Sequence, residues 1–91
     1  PDVVRCGLTD LRKIAAIADT WGLQIAPHLY PELMIHLMAS IPNGLIIEDM
    51  GMMSDIWVDW ARPVNGFITA PETPGHGLKI KPEIMTKHAV Q

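Results

Sequence analysis

Apolar positions along this chain switch between two spacings, and the switching predicts its elements. Leu11, Ile14, Ala15, Ala18 and Trp21 recur at the three- and four-residue steps of one helical face. Thr9 is the expected N-cap, with Asp10 just inside where a negative charge suits the helix dipole, and Gly22 is the expected stop. Ahead of this helix Val3-Val4 forms a β-branched pair in an extended-looking stretch. Behind it Leu23-Gln24-Ile25-Ala26 reads as a short buried strand that ends at Pro27. Pro31 pre-sets the first turn of a second helix, expected to run to about Ser40 with Leu33, Met34, Leu37 and Met38 on its apolar side. Pro42-Asn43-Gly44 ends it, and Leu45-Ile46-Ile47 is another buried-looking strand. The order is β-α-β-α-β with short connections, the pattern of consecutive units in a parallel α/β sheet or barrel.

Past Met50 the period is lost. Residues 51–63, with Trp57 and Trp60, read as irregular loop and turn. Phe67-Ile68-Thr69 is expected as one more short strand, the segment 71–77 is turn chemistry throughout, residues 78–80 can extend as a strand, and residues 82–85 form a short last helix.

Composition narrows the function classes. With 48% hydrophobic and 19% charged residues over 91 positions, the chain can bury a modest core and is too apolar for disorder. A net charge of −3 gives no basic footprint, so nucleic acid is not an expected partner. No apolar run approaches a bilayer span, and a membrane is not expected either. The single cysteine, Cys6, excludes an internal disulfide and fits a reduced thiol, so a cytoplasmic location is the expectation. Pro1 stands where an initiator Met would, as in a processed or partial chain.

The candidate chemistry lies at the carboxyl ends of the expected strands, the rim where parallel α/β folds bind ligands. His28 follows the strand ending at Pro27, and Glu48-Asp49 follows residues 45–47. The remaining histidines read more plainly: His36 as a packed or hydrogen-bonded helix residue, His76 as part of a turn, His88 as a solvated terminal residue. None of the four has zinc-ligand spacing. The six methionines read as core filler. Trp57 and Trp60 fit either a cover over one end of the fold or an interface.

Several motifs together resemble a known family. Gly7-Leu8-Thr9, the helix Lys13-Ile14-Ala15-Ala16-Ile17-Ala18, the stretch Ala26-Pro27-His28-Leu29-Tyr30-Pro31-Glu32, and His36-Leu37 carry the first part of the likeness. Ile41-Pro42-Asn43-Gly44-Leu45-Ile46-Ile47-Glu48 and Pro71-Glu72-Thr73-Pro74-Gly75-His76-Gly77-Leu78 carry the rest. In this order and spacing they resemble the mandelate racemase branch of the mandelate racemase/muconate lactonizing enzyme family, in the enolase superfamily. The resemblance implies an α/β fold: the C-terminal β-α-β-α-β portion of a modified TIM barrel, (β/α)7β, over residues 1–62. Residues 63–91 would be a tail returning toward the capping domain. It implies that Asp2, His28 and Glu48 end the sixth, seventh and eighth strands.

By the same resemblance these three are the catalytic residues of a Mg²⁺-dependent enzyme, an acid-sugar dehydratase or a racemase/epimerase. Its substrate would be a small 2-hydroxy carboxylate, its metal ligands would lie upstream, and a homo-oligomer is expected. His28 would remove the proton alpha to the carboxylate, a task suited to an imidazole near neutral pH. Asp2 would orient the ring, and a Glu48 kept protonated by burial would stabilise the enolate. The alternative is a catalytically inert truncated piece that acts only through association with itself or a partner.

Overall fold

Three helices carry the regular structure in a computed structural model that describes residues 1–90: α1 (Leu8–Thr20), α2 (Pro31–Met38) and α3 (Pro82–Lys87). Gln91, the last residue of the expected tail, lies outside the described residues. Helix α1 starts two residues earlier than a Thr9 cap would require. Gly7 is the N-cap, and its carbonyl accepts from the amides of Asp10 and Leu11 at 3.0 and 3.1 Å, so Thr9 sits inside the first turn. The other end is as expected. Gly22 takes the left-handed conformation at φ 67°, its N–H donates to Asp19 O, and the next N–H, of Leu23, donates back to Ala18 O, each at 2.9 Å. Those two bonds close a Schellman motif, which needs a residue without a Cβ penalty at Gly22.

Three segments then lie side by side in parallel. Asp2 bridges His28, with the His28 N–H donating to Pro1 O at 2.7 Å. Ile25 bridges Gly44: its N–H donates to Asn43 O, and its carbonyl accepts from Leu45 N–H, both at 2.8 Å. This is the β-α-β-α-β order expected from the pattern, although among the described residues the pairing consists of isolated bridges and no continuous ladder. Within this chain one face of these segments is covered. Ile25 and Pro27 are buried, while Gln24, Ala26 and His28 are exposed, so helices cover one face of the segment only. Leu23, Leu45 and Ile46 are between 55% and 63% exposed, because strands are buried throughout only where both faces are covered.

The core on the covered side is small. Leu11 of α1 and Met34 and Leu37 of α2 are fully enclosed, with Val3, Cys6, Leu8 and Ile41 packed around them. Asn43 joins the pieces. Its side-chain NH₂ donates to Ala15 O of α1 at 2.9 Å and to Leu23 O at 3.0 Å, while its own carbonyl takes the Ile25 N–H. Replacing Asn43 by Ala removes the donors of two backbone carbonyls, that of Ala15 buried and that of Leu23 partly so, and is expected to cost about 1–3 kcal/mol. Asn43→Asp should cost more, since a carboxylate oxygen would then face two carbonyls; chemical denaturation of the two variants checks the order.

The tail folds by turns. Asn65-Gly66, both at positive φ, make a two-residue reversal that pairs Val64 with Phe67, which is all that forms of the strand expected at 67–69. Residues 78–80 do extend, with Ile80 bridging Trp57 antiparallel. Gly77 turns at φ 70°, and a Cβ there would collide with Thr73 Oγ1. Gly77→Ala therefore combines the left-handed penalty of about 1 kcal/mol with a clash, and limited proteolysis should show faster cleavage within residues 71–78. Among the described residues no helix is long and apolar enough to cross a membrane.

Candidate active site

Parallel register brings the two candidate strand ends together. His28 lies three residues beyond Ile25, and Glu48 four beyond that residue's partner Gly44, so the two side chains leave the paired segments nearly level. His28 Nδ1 lies 2.8 Å from Glu48 Oε2. The same oxygen accepts the Leu29 N–H at 3.0 Å. A local backbone feature aims that amide: Leu29 and Tyr30 are both left-handed, at φ 59° and 51°, a costly conformation for residues with side chains. Pro31 then starts α2 at once.

The electrostatics follow from these contacts. The Leu29 N–H holds the Glu48 carboxyl below the ordinary glutamate range, desolvation opposes this, and the hydrogen bond and charge of His28 add to the lowering. An ionised Oε2 can only accept, so Nδ1 carries the ring proton on that side, and Nε2 is left to take one. The neutral Glu48 expected from the resemblance would need burial; within the described residues its side chain is 42% exposed and its two hydrogen-bond partners favour the anion.

The sign for stability follows. A lowered folded-state value makes the pair stabilising above the ordinary carboxyl titration, and that contribution is lost as the pH falls through the lowered value. The Leu29 amide shift should titrate with Glu48, with a midpoint below the ordinary glutamate range; a midpoint at or above that range would disprove the contact.

Asp2 is held beside His28 by the backbone bridge, but its carboxylate turns the other way. Oδ1 accepts the Val4 N–H at 2.8 Å, and Oδ2 faces Arg5 Nε at 3.4 Å. The imidazole's partner in this structure is thus Glu48. Asp49 caps Gly51 N–H at 3.0 Å, a local turn contact. His36 Nε2 donates to His76 O at 3.2 Å, and His76 Nδ1 accepts the Leu78 N–H at 3.0 Å, in keeping with the plainer readings of both. Cys6 is a free thiol whose Sγ lies 3.6 Å from Asp2 O.

Two features had no signal in the sequence. The Leu29 amide acts as a donor only because of its left-handed backbone. Glu32 is 3% exposed and accepts the Trp57 indole N–H at 2.8 Å. Trp60 is also buried, with the Arg62 guanidinium 5.3 Å from its ring centre.

A cavity of about 850 Å³ is lined by none of Asp2, His28 and Glu48. It is an apolar groove between Ile35 and Met38 of α2, residues 44–47 and Phe67. For a metal, the described residues do not suffice: no group of three or more His, Cys, Asp or Glu side chains converges.

Known proteins place this geometry. A family model described as enolase C-terminal domain-like matches residues 1–84. An L-rhamnonate dehydratase from Saccharopolyspora erythraea is 34% identical over 92% of this chain, and a 3,6-anhydro-alpha-L-galactonate cycloisomerase from Streptomyces coelicolor is 32% identical over 99% of it. The chain spans 24% and 26% of those two curated relatives. The crystal structure of L-talarate dehydratase from Polaromonas sp. JS666, complexed with Mg and L-glucarate, superposes with a TM-score of 0.85 at 31% identity. That match covers 94% of this chain and 24% of the other. Parallel β-α-β-α-β order, a helix-free face and solved enolase-superfamily neighbours agree on the C-terminal part of an enolase-type barrel, and the chain belongs to the enolase C-terminal domain-like family.

Proposed function

We propose that this chain supplies the proton-abstracting histidine of an acid-sugar dehydratase or racemase. The observation that carries the reading is the imidazole of His28, on the helix-free face at a strand end, with an ionised carboxylate 2.8 Å from Nδ1. In a closed barrel the helix-free face is the interior, and its carboxyl-end rim is where reactions run.

The chemistry then uses the residues in named roles. His28 Nε2 takes the proton alpha to the substrate carboxylate, and the electron pair of the broken C–H bond moves into the carboxylate as an enolate. Glu48 holds Nδ1–H toward itself, which fixes the tautomer, and it faces the imidazolium that forms. In a dehydratase the imidazolium returns its proton to the departing 3-hydroxyl, which leaves as water while the enolate electrons form the new double bond. Asp2, beside His28 through the backbone bridge, supports the strand end. Mg²⁺ is the cofactor suggested by the metal-bound relative, and its ligands would come from outside the described residues.

The test is α-proton exchange in deuterium oxide across a panel of acid-sugar carboxylates, comparing the protein carrying this chain with its His28→Asn variant. Intact mass comes first, since a complete barrel needs roughly 250 residues. Exchange that survives in His28→Asn would sink the reading.

A further inference from the structure

Helix α2 carries two polar side chains one turn apart, Glu32 and His36, and each holds a different part of the chain beyond residue 50. Glu32 Oε1 takes the Trp57 Nε1–H at 2.8 Å, and His36 Nε2–H donates to His76 O at 3.2 Å. Residues four apart share a helix face, so both bonds leave α2 on one side. The two held parts are joined in turn. Val58 N–H donates to Lys79 O at 2.8 Å, and Lys81 N–H donates to Ile56 O at 2.9 Å, on either side of the Trp57–Ile80 bridge. They enclose a cavity of about 230 Å³ lined by Glu32, Asp59, Trp60, Thr73, His76 and Leu78.

Glu32 is the unusual member. A carboxylate only 3% exposed is expensive to bury, and among the described residues it has no salt-bridge partner and no metal cluster around it. Its contact is a neutral indole donor. Its position is the second residue of α2, directly after the left-handed pair Leu29–Tyr30 and Pro31.

We propose that Glu32 is a positioning residue: through Trp57 it straps residues 57–80 onto α2 and thereby fixes the turn that presents the Leu29 N–H to Glu48. The strap deepens the His28 reading and rests on it only for its effect on proton transfer. What Glu32 contributes is an acceptor, so glutamine, which keeps a carbonyl oxygen for the indole, should serve nearly as well.

The experiment is amide hydrogen exchange at Leu29 and Lys81, whose N–H groups donate to Glu48 and to Ile56 O, read by NMR in the protein and three variants. Glu32→Gln is expected to stay within about twofold of the parent, while Glu32→Leu and Trp57→Phe each speed exchange at both amides by roughly tenfold. Glu32→Gln as disruptive as Glu32→Leu would overturn the proposal, since charge and not the hydrogen bond would then be at work. Unchanged Leu29 exchange in Trp57→Phe would overturn it too, and that variant decides alone should Glu32→Leu fail to fold. If the exchange pattern holds but no acid sugar loses its α proton, the strap stands and the functional reading falls.

Discussion

His28→Asn is expected to lower α-proton exchange by roughly 10²–10⁴-fold, the range a positioned general base supplies. Asparagine is the informative choice because its amide can still donate toward Glu48, so the carboxylate keeps a partner and the fold is little disturbed. The loss then reads the missing basic nitrogen and not a collapsed site. Far-UV circular dichroism should match the parent, and KM should change much less than kcat, since the ring acts on the proton and does little for binding. A variant retaining more than a tenth of the exchange rate would mean another group abstracts the proton.

Leu11→Ala should produce the largest loss of stability in the chain. Leu11 is fully enclosed, and the core it shares with Met34 and Leu37 is the contact that holds α1 on α2. Removing a buried leucine costs roughly 2–5 kcal/mol, according to how far the cavity collapses. Total stabilities are commonly about 5–15 kcal/mol, so a loss of this size should lower the thermal midpoint by several degrees. Ile14→Ala is the matched control. Its sequence spacing puts it on the same stripe as Leu11, yet it is 40% exposed, so its cost should fall well below that of Leu11→Ala. Thermal unfolding of the pair followed at 222 nm gives the comparison, and equal shifts would contradict the described core.

The helix spacing, the Gly22 stop, the Pro31 start and the alternation of elements were all legible, because each is written in residues close together in the chain. Parallel order made it legible that His28 and Glu48 end neighbouring strands, but the partner expected for the ring was Asp2, and the contact is with Glu48. The orientation of their side chains was not legible. Asp2 turns to Val4 and Arg5 through contacts two and three residues away, and these compete with the more distant imidazole. The second contact of Glu48 is a backbone N–H aimed by two left-handed residues, which no local motif announces. Burial of Glu32 depends on an indole 25 residues away. The apolar runs at 23–26 and 45–47 report an affinity for cover on both faces, and the described residues supply it on one.

The left-handed pair Leu29–Tyr30 has a consequence for engineering. Asparagine or glycine would occupy that backbone with less strain. A library ranked on heat resistance should drift toward those residues at 29 and 30, and since they keep the same turn the backbone N–H at 29 should stay on Glu48. Durability can thus be added at two adjacent positions without redirecting the amide.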